Sequence, residues 1–347
     1  MTPDGTWAGA GRAVSNDLSG DVAIDLGTAS TRLRERAGAL VDEPSIAAID
    51  ADTGRLISFG REALQLGAGA AGRVRLVRPV RRGQLADLEL AQALVATMLR
   101  RAGVSRRARV LICVHADATA IQRRALQRAL EQAGARAVRF LELPLAVAIG
   151  EGERIEEPTG TMVVEIGAGT SDIAVLALGG MVTKAHLSRG GEDFELAVRN
   201  LLSSRHGLVV DQPTAREVIR MIGTVDADAP EARVEVLGRD RATGRASAAV
   251  LRRSDLRTTL LEQLRPILSA AMDCIADAPP DLANDLLGSG VVLAGGGSEL
   301  DGCAAALAAA TGLVVHPAAD PRRSAVNGAA RCLEGLTELP ALELTSP

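Results

Sequence analysis

The chain has 347 residues, of which 47% are hydrophobic, and its formal net charge at pH 7 is −4. This length suggests about two domains. The chain has three Phe, one Trp and no Tyr, so its core must be aliphatic. The negative charge and the shortage of aromatic stacking residues argue against nucleic-acid binding, and no segment fits GxxxxGK[ST], which excludes a P-loop enzyme.

The first residues and the cysteines carry no targeting or metal pattern. Residues 1–20 are rich in Gly, Ser and Asp, and they lack the charged start and apolar core of a signal peptide. We predict that they form a disordered tail, with the alternative that Trp7 serves as a membrane anchor. No apolar run approaches the ~20 residues that a membrane span requires. The widely spaced cysteines fit neither a zinc pattern nor a disulfide framework, so we expect buried thiols in a reducing cytosol: Cys113, Cys274, Cys303 and Cys332.

The first patterned segment, residues 21–31, reads DVAIDLGTAST. An apolar strand carries one carboxylate, Asp25, and then turns through small residues that begin at Gly27. Glycine at such a turn lets the backbone approach a ligand closely and point N–H groups at an anion. The carboxylate at the entrance suits a hydrated Mg²⁺. An ordinary glycine-rich hairpin is the competing interpretation, because a single turn of this kind is a weak signal.

Short strands and helices alternate through residues 32–160. Thr119 and Gln122 have the spacing of a capping box, which explains Gln122 better than a catalytic role does. We predict strands at residues 46–49, 56–59, 109–114 and 135–141, and helices at residues 85–101 and 119–132, with a further helix beginning at about 142–146.

A second copy of the first pattern occupies residues 161–180, TMVVEIGAGTSDIAVLALGG. Two apolar runs flank a small-residue turn, which is typical of a β-hairpin, and Glu165 stands where the first copy has Asp25. A third glycine turn, residues 295–297, follows another apolar run. Three strand-to-glycine turns on one chain indicate a single nucleotide-binding cleft.

The rest of the chain continues the alternation of apolar strands and helices, which is typical of an α/β protein. The two carboxylate–glycine hairpins suggest two similar halves on either side of a cleft. We predict helices from about 190 to 203, 214–222, 254–276 and 324–336, and a hairpin at residues 234–251.

These motifs resemble the MreB family of actin-like ATPases, the rod-shape-determining filament proteins of bacteria. DLGTA and EIGAGT resemble the two phosphate hairpins of that family, and the GGG turn resembles the turn beside the adenosine. Weaker matches follow in the same order at residues 41–45, 78–80, 142–146 and 188–194. The resemblance spans roughly residues 21 to 336 and implies an actin-like (ribonuclease H-like) two-domain fold with the cleft between the domains.

The resemblance also implies domain boundaries. Domain I would comprise residues 21–160 plus 318–338, with a small subdomain at about 32–83. Domain II would comprise residues 161–317, with a small subdomain at about 190–257.

The family implies a site for ATP or ADP with Mg²⁺. Asp25 and Glu165 would hold the metal through water. Glu217 matches a ribose-binding glutamate, and the neighbouring family lysine is replaced by Ile219. The residues implied for nucleotide binding are Gly27, Thr28, Ala29, Gly167, Ala168, Gly169, Thr170, Gly191, Glu192, Glu217, Gly295, Gly296 and Gly297.

The resemblance predicts weak catalysis. Thr170 matches the family's threonine beside the attacking water, but Leu143 stands where the family has the glutamate that orients that water. Leucine offers no hydrogen bond. Glu165 also replaces the family's aspartate. We therefore expect very slow or absent hydrolysis, with the alternative that Glu142 swings in to hold the water.

Two functions are compatible with these motifs. The first is an ATP-binding cytoskeletal protein that shapes cells and organises cell-wall synthesis, and the second is an active ATPase or phosphotransferase on the same fold. The first implies self-assembly into filaments and contact with membrane-bound proteins of the elongation machinery. The family's apolar membrane loop is replaced by a short basic connection at residues 103–107, so we expect a cytoplasmic protein that reaches the inner face of the membrane through partners.

Overall fold

The computed structural model describes residues 21–36, 38, 40–69, 72–104 and 108–334. The predicted tail at residues 1–20 lies outside these ranges. So do residues 105–107 of the basic connection and the end of the predicted last helix.

The strands follow the alternation of apolar residues that the sequence predicts. In chain order they are β1 (Val22–Leu26), β2 (Ser30–Glu35), β3 (Leu40–Pro44), β4 (Ala47–Asp50), β5 (Leu56–Phe59), β6 (Val74–Val77), β7 (Val80–Arg81), β8 (Gln84–Leu85), β9 (Arg109–Val114), β10 (Ala137–Glu142), β11 (Thr161–Ile166), β12 (Ser171–Ala177), β13 (Gly180–Leu187), β14 (Leu208–Val209), β15 (Arg233–Asp240), β16 (Ala246–Arg252), β17 (Val291–Ala294) and β18 (Val315–Pro317).

The helices connect these strands as in other α/β proteins. They are α1 (Gly60–Gly69), α2 (Leu88–Arg101), α3 (Ala120–Gln132), α4 (Leu143–Glu151), α5 (Gly191–His206), α6 (Gln212–Ile222), α7 (Arg253–Ala276), α8 (Pro280–Ser289), α9 (Cys303–Thr311) and α10 (Ser324–Leu333), with one 3₁₀ turn at Gly296–Glu299.

Two five-stranded sheets share one topology. The first has the order β10-β9-β1-β2-β3 and the second the order β13-β12-β11-β17-β18. In each sheet three consecutive strands form an antiparallel meander, and its first strand is followed in space by two parallel strands. The two glycine turns therefore occupy equivalent positions, each between the first two strands of its meander.

Helix boundaries agree with the predictions where a cap is readable in the sequence. The predicted capping box of α3 is present, because the Thr119 side chain accepts from the backbone of Gln122 and the Gln122 side chain accepts from Thr119. The start of α2 was predicted too early, since Asp87 caps this helix at Leu88. Capping satisfies amides that the first helical turn leaves unpaired.

The apolar faces pack into aliphatic clusters. One, which includes Val164, Val198 and Leu260, fills the half that contains the second sheet. Another, which includes Ile24, Leu94 and Ile112, packs under the first sheet. The cysteines are free: Cys113, Cys274 and Cys303 are buried and Cys332 is half-buried. No helix among the described residues is long and apolar enough to cross a membrane.

Helix α10 packs against α4 and against strands β1, β2 and β9 of the first sheet. The chain thus returns to its first half after completing the second sheet. The domain boundaries given above stay a prediction.

Candidate functional site

The first glycine turn is closed by its own backbone. The Gly27 amide donates to the Ser30 carbonyl at 3.1 Å, and a Cβ on Gly27 would lie 2.9 Å from that oxygen, so only glycine fits this bend. Ser45 holds the turn through two hydrogen bonds. Its Oγ donates to the Gly27 carbonyl at 2.6 Å, and its backbone amide donates to the Ala29 carbonyl at 2.9 Å. The turn is therefore rigidly placed at the end of β1.

The second turn repeats this arrangement between β11 and β12. The Gly167 amide donates to the Thr170 carbonyl at 2.8 Å. Thr170 is buried, with 5% of its surface exposed. The Ser171 Oγ donates to the Arg189 carbonyl at 2.8 Å, which ties the turn to the segment before α5.

The two turns meet. A Cβ on Gly169 would lie 2.9 Å from the Thr28 Oγ1 and 3.0 Å from the Arg82 Cα. Thr28 Oγ1 in turn accepts from the Gly83 amide at 3.1 Å. The structure therefore brings together the first and second predicted phosphate hairpins, with the 82–83 turn packed against both.

Five amides in these turns have no acceptor among the described residues. The amides of Gly27 and Gly167 close the turns, whereas those of residues 28, 29 and 168–170 donate to no protein group there. Buried backbone N–H groups are almost always paired with protein, water or ligand. Clusters of successive unpaired amides bind anions, so the amides that follow Gly27 and Gly167 are better suited to an anion than the two that close the turns.

Helix α5 begins against the second turn. The amides of Gly191 and Glu192 donate to the carbonyls of Gly167 and Ala168, at 3.0 and 2.7 Å. These two amides hold the second turn through hydrogen bonds, so they are not available to bind an anion. The Glu192 carboxylate lies 3.7 Å from the Arg78 guanidinium, and its predicted contact with nucleotide stays a prediction.

The third glycine turn packs against the other side of the second hairpin. Gly295 has a φ of +84°, and a Cβ there would lie 2.3 Å from the Ile166 carbonyl oxygen. A Cβ on Gly297 would lie 2.6 Å from the Ile166 side chain. Gly296 differs, because its Cβ would meet only the Arg322 side chain, at 3.6 Å. Two of the three glycines are thus required for packing, and Gly296 is the one with free space.

The two carboxylates at the hairpin entrances are partly buried. Burial raises the pKa of Asp25, and its ion pair with Arg32, 3.3 Å away, partly offsets this rise. Burial raises the pKa of Glu165 well above its ordinary value, and the nearby charges of Asp172 and Asp25 raise it further. A nearby cation would favour the ionised form of both carboxyl groups. Their oxygens are also the kind of group that binds a hydrated cation.

The position that the family uses to orient water is apolar here. Leu143 opens α4 and is 8% exposed, and it packs with the core residues Leu111 and Leu141. Glu142 accepts a hydrogen bond from Arg123 at 2.7 Å, and Arg123 also lies over the Phe140 ring at 5.5 Å. Glu142 is therefore held toward α3.

Glu217 is the predicted site residue that the structure leaves apart. It lies on an exposed face of α6, where its carboxylate accepts from the Arg220 guanidinium. No hydrogen bond or ion pair within the described ranges links it to either hairpin. Its ribose contact stays a prediction.

Two arginines at the cleft were not recognised as site residues. Arg78 donates to the Thr28 carbonyl at 3.1 Å, and Arg82 pairs with Asp193 at 3.0 Å and also donates to the Ser188 carbonyl. Both link the first half of the chain to the segment around α5. The family match at residues 78–80 pointed to Arg78, while nothing in the sequence marks Arg82.

The family model described as MreB/Mbl protein matches residues 19–341. This chain belongs to the MreB/Mbl family.

Curated relatives align along nearly their whole length. The cell shape-determining protein Mbl of Bacillus cereus is 32% identical over 324 residues, covering 92% of this chain and 97% of that protein. The cell shape-determining protein MreB of Escherichia coli K12 is 33% identical over 326 residues, covering 91% and 94%.

Solved structures of the MreB/Mbl type share the fold. MreB5 of Spiroplasma citri bound to AMPPNP superposes with a TM-score of 0.85 at 27% identity, covering 91% of this chain and 96% of that one. The ADP-bound form of the same protein gives a TM-score of 0.84. The predicted actin-like α/β fold is thus confirmed for this MreB/Mbl-family chain.

Proposed function

We propose that this chain is an actin-like cytoskeletal protein with a role in cell shape, which binds ATP or ADP with Mg²⁺ between its two glycine hairpins. The observation that carries the proposal is the convergence of unpaired amides, those of residues 28, 29 and 168–170, where Thr28 meets Gly169. Such amides suit a polyphosphate. The names of its relatives and the nucleotides bound to MreB5 of S. citri support the same function.

Each group in the cleft then has a role. The free amides bind phosphate oxygens, and Gly296 provides room beside the nucleoside. Asp25 and Glu165 would hold Mg²⁺ through water, and the bound ion would neutralise phosphate charge. Arg78 and Arg82 position the turns.

Gly296 provides the sharpest test of nucleotide binding. A Cβ at this position meets only the flexible Arg322 side chain, so Gly296→Val should leave the fold intact while crowding the ligand. We expect calorimetry with AMPPNP to show weaker binding for Gly296→Val than for the wild type. Gly288→Val is the matched control, since a Cβ on Gly288 meets nothing within 4 Å. Equal affinity in all three proteins would refute this placement of the nucleoside.

Hydrolysis is expected to be very slow or absent. Leu143 is apolar and buried, and Glu142 is paired with Arg123, so neither side chain is free to orient an attacking water. Loss of a positioned polar group commonly costs ~10²–10⁴-fold in rate. The extra methylene of Glu165 moves its carboxylate by over ~1 Å, a displacement that can cost ~10²-fold. The two losses need not multiply.

A phosphate-release assay on the wild type, Leu143→Glu and Leu143→Gln tests this expectation. Leu143→Glu should raise the rate by at least ~10-fold. Leu143→Gln controls for burying a polar side chain at this position. Wild-type turnover equal to that of E. coli MreB, with no gain from Leu143→Glu, would instead favour the active-ATPase alternative.

We extend the proposal to assembly and location. The protein would form filaments in the cytoplasm and would reach the inner face of the membrane through membrane-bound proteins of the elongation and wall-synthesis machinery. Negative-stain microscopy with ATP tests filament formation. Liposome co-sedimentation tests indirect attachment, and strong pelleting of the purified protein that survives deletion of residues 1–20 would refute it.

A further inference from the structure

Three ionisable side chains converge where the two halves of the chain meet. His115 follows β9 of the first sheet, whereas Asp172 and His186 are paired residues on β12 and β13 of the second. The Nδ1 atoms of His115 and His186 lie 2.7 and 3.1 Å from the two carboxylate oxygens of Asp172. Within the described ranges these form the one group of three or more His, Cys, Asp or Glu side chains with the ligand atoms within 4.8 Å of one another.

Small movements of these atoms would admit a tetrahedral metal ion. Bonds of ~2.0–2.1 Å to a tetrahedral centre place neighbouring ligand atoms about 3.3 Å apart, so the two hydrogen-bonded pairs at 2.7 and 3.1 Å would each have to separate by roughly 0.6 Å or less. The Asp117 carboxylate lies 3.7 Å from the His186 Nδ1 but outside the group of three mutually close ligands, so a fourth ligand would be water or an Asp117 side chain that moves closer. Two imidazoles with carboxylates favour zinc and similar transition metals, whereas Mg²⁺ and Ca²⁺ prefer ligand sets made of oxygen alone.

The surrounding residues orient the ligands. The Ala116 amide donates to the Asp172 Oδ1 at 2.8 Å, and the Lys184 ammonium fixes Ala116 by donating to its carbonyl at 2.7 Å. Gly83 packs against the Nε2 side of His115, where a Cβ would lie 2.0 Å from that nitrogen, so Nδ1 is the atom that faces the cluster. Such outer contacts fix ligand orientation in metal sites.

The cluster is reachable from solvent. Asp172 itself is fully buried. Both histidines and Asp117 line a cavity of about 240 Å³, which offers an entry path and room for a bound water.

We propose that His115, Asp172 and His186 form a binding site for a divalent transition metal of the zinc type, with Asp117 or water as the fourth ligand. This inference does not rest on the proposed nucleotide binding, although Asp172 lies opposite Glu165 on the neighbouring strand. Its ligands come from both halves of the chain, so a bound ion would cross-link them beneath the two hairpins.

Equilibrium dialysis of the full chain against Zn²⁺, with the metal measured by mass spectrometry, tests the proposal. We expect one tightly bound equivalent in the wild type, retained in millimolar Mg²⁺. His115→Ala/His186→Ala should lose this equivalent. His206→Ala is the matched control, because His206 is exposed at the end of α5, and it should bind as the wild type does.

A second double variant controls for loss of zinc through misfolding. His115→Gln/His186→Gln keeps polar side chains at both positions, and its fold can be checked by circular dichroism. Zinc should raise the melting temperature of the wild type and of His206→Ala, because a ligand that binds only the native state stabilises it, but not that of the Gln pair. The proposal is overturned if the wild type binds no stoichiometric zinc. It is also overturned if both double variants retain the zinc undiminished, as binding to cysteine thiols would give.

Discussion

The two glycine hairpins have the same backbone geometry but differ in the charges around their carboxylates. Both lie between the first two strands of equivalent meanders, and both turns close with the same hydrogen bond. The carboxylate of the first hairpin, Asp25, is paired with Arg32, whereas that of the second, Glu165, faces Asp172 across the β11–β12 ladder. The two hairpins thus have the same topology and turn geometry, but their two entrances are electrostatically unequal.

The supports of the hairpins differ as well. The first turn is held by Ser45, through both its Oγ and its backbone amide, and by the Arg78 guanidinium. The second is packed on two sides by backbone, from the start of α5 and from the turn at residues 295–297. The second hairpin therefore has little freedom to move, and a change at its tip should be transmitted to the first.

The largest expected effect follows from the contact between the turns. Gly169→Val would force its side chain against Thr28 and the Arg82 backbone, and overpacking of this kind costs ~1–3 kcal/mol. We expect AMPPNP affinity to fall by about 5- to 150-fold, as measured by calorimetry. Gly288→Val, where an added Cβ meets nothing within 4 Å and φ is not positive, controls for a glycine change outside the cleft. Unchanged affinity in Gly169→Val would show that the two hairpins act separately.

A smaller effect tests the difference in charge. The folded-state pKa of Glu165 is raised by burial and by Asp172, so the folded protein loses stability as pH rises from the unfolded-state pKa to the folded-state pKa. Glu165→Gln should therefore stabilise the metal-free protein above that window. Asp25→Asn should stabilise it less, because Arg32 already offsets the burial of Asp25.

Thermal melting in EDTA from pH 4 to pH 8 measures this difference. The gain of Glu165→Gln over the wild type should be near zero at the acid end and largest at pH 8. Equal gains for Glu165→Gln and Asp25→Asn would contradict the inequality of the two entrances.

The smallest effect concerns the residue that packs between the turns. Arg82 has a φ of +47°, a conformation that costs a non-glycine residue roughly 1 kcal/mol, and its half-exposed pair with Asp193 contributes only ~0.2–1 kcal/mol. Arg82→Ala and Arg82→Gly both remove the pair, but only the glycine relieves the backbone. Urea unfolding should find Arg82→Gly the more stable by about 1 kcal/mol. The reverse order would show that the backbone here is unstrained.

Much of the fold and part of the candidate site could be predicted from the sequence. The two hairpins, the capping box of α3, the aliphatic core and the MreB/Mbl family were readable because local patterns encode them: glycine at tight turns, apolar alternation in strands and a Thr–Gln pair three residues apart. The lack of a water-orienting group at Leu143 could also be predicted, because leucine offers no hydrogen bond wherever it lies.

The tertiary structure alone decided which groups meet. His115 and His186 are ordinary residues in sequence, and they become a cluster only because the end of β9 comes to lie against Asp172. The state of Glu165 likewise depends on burial and on neighbours brought in by strand pairing, and the role of Arg82 depends on its contact with α5. Electrostatic energies depend on distance and on the surrounding dielectric, and neither quantity exists until the chain has folded.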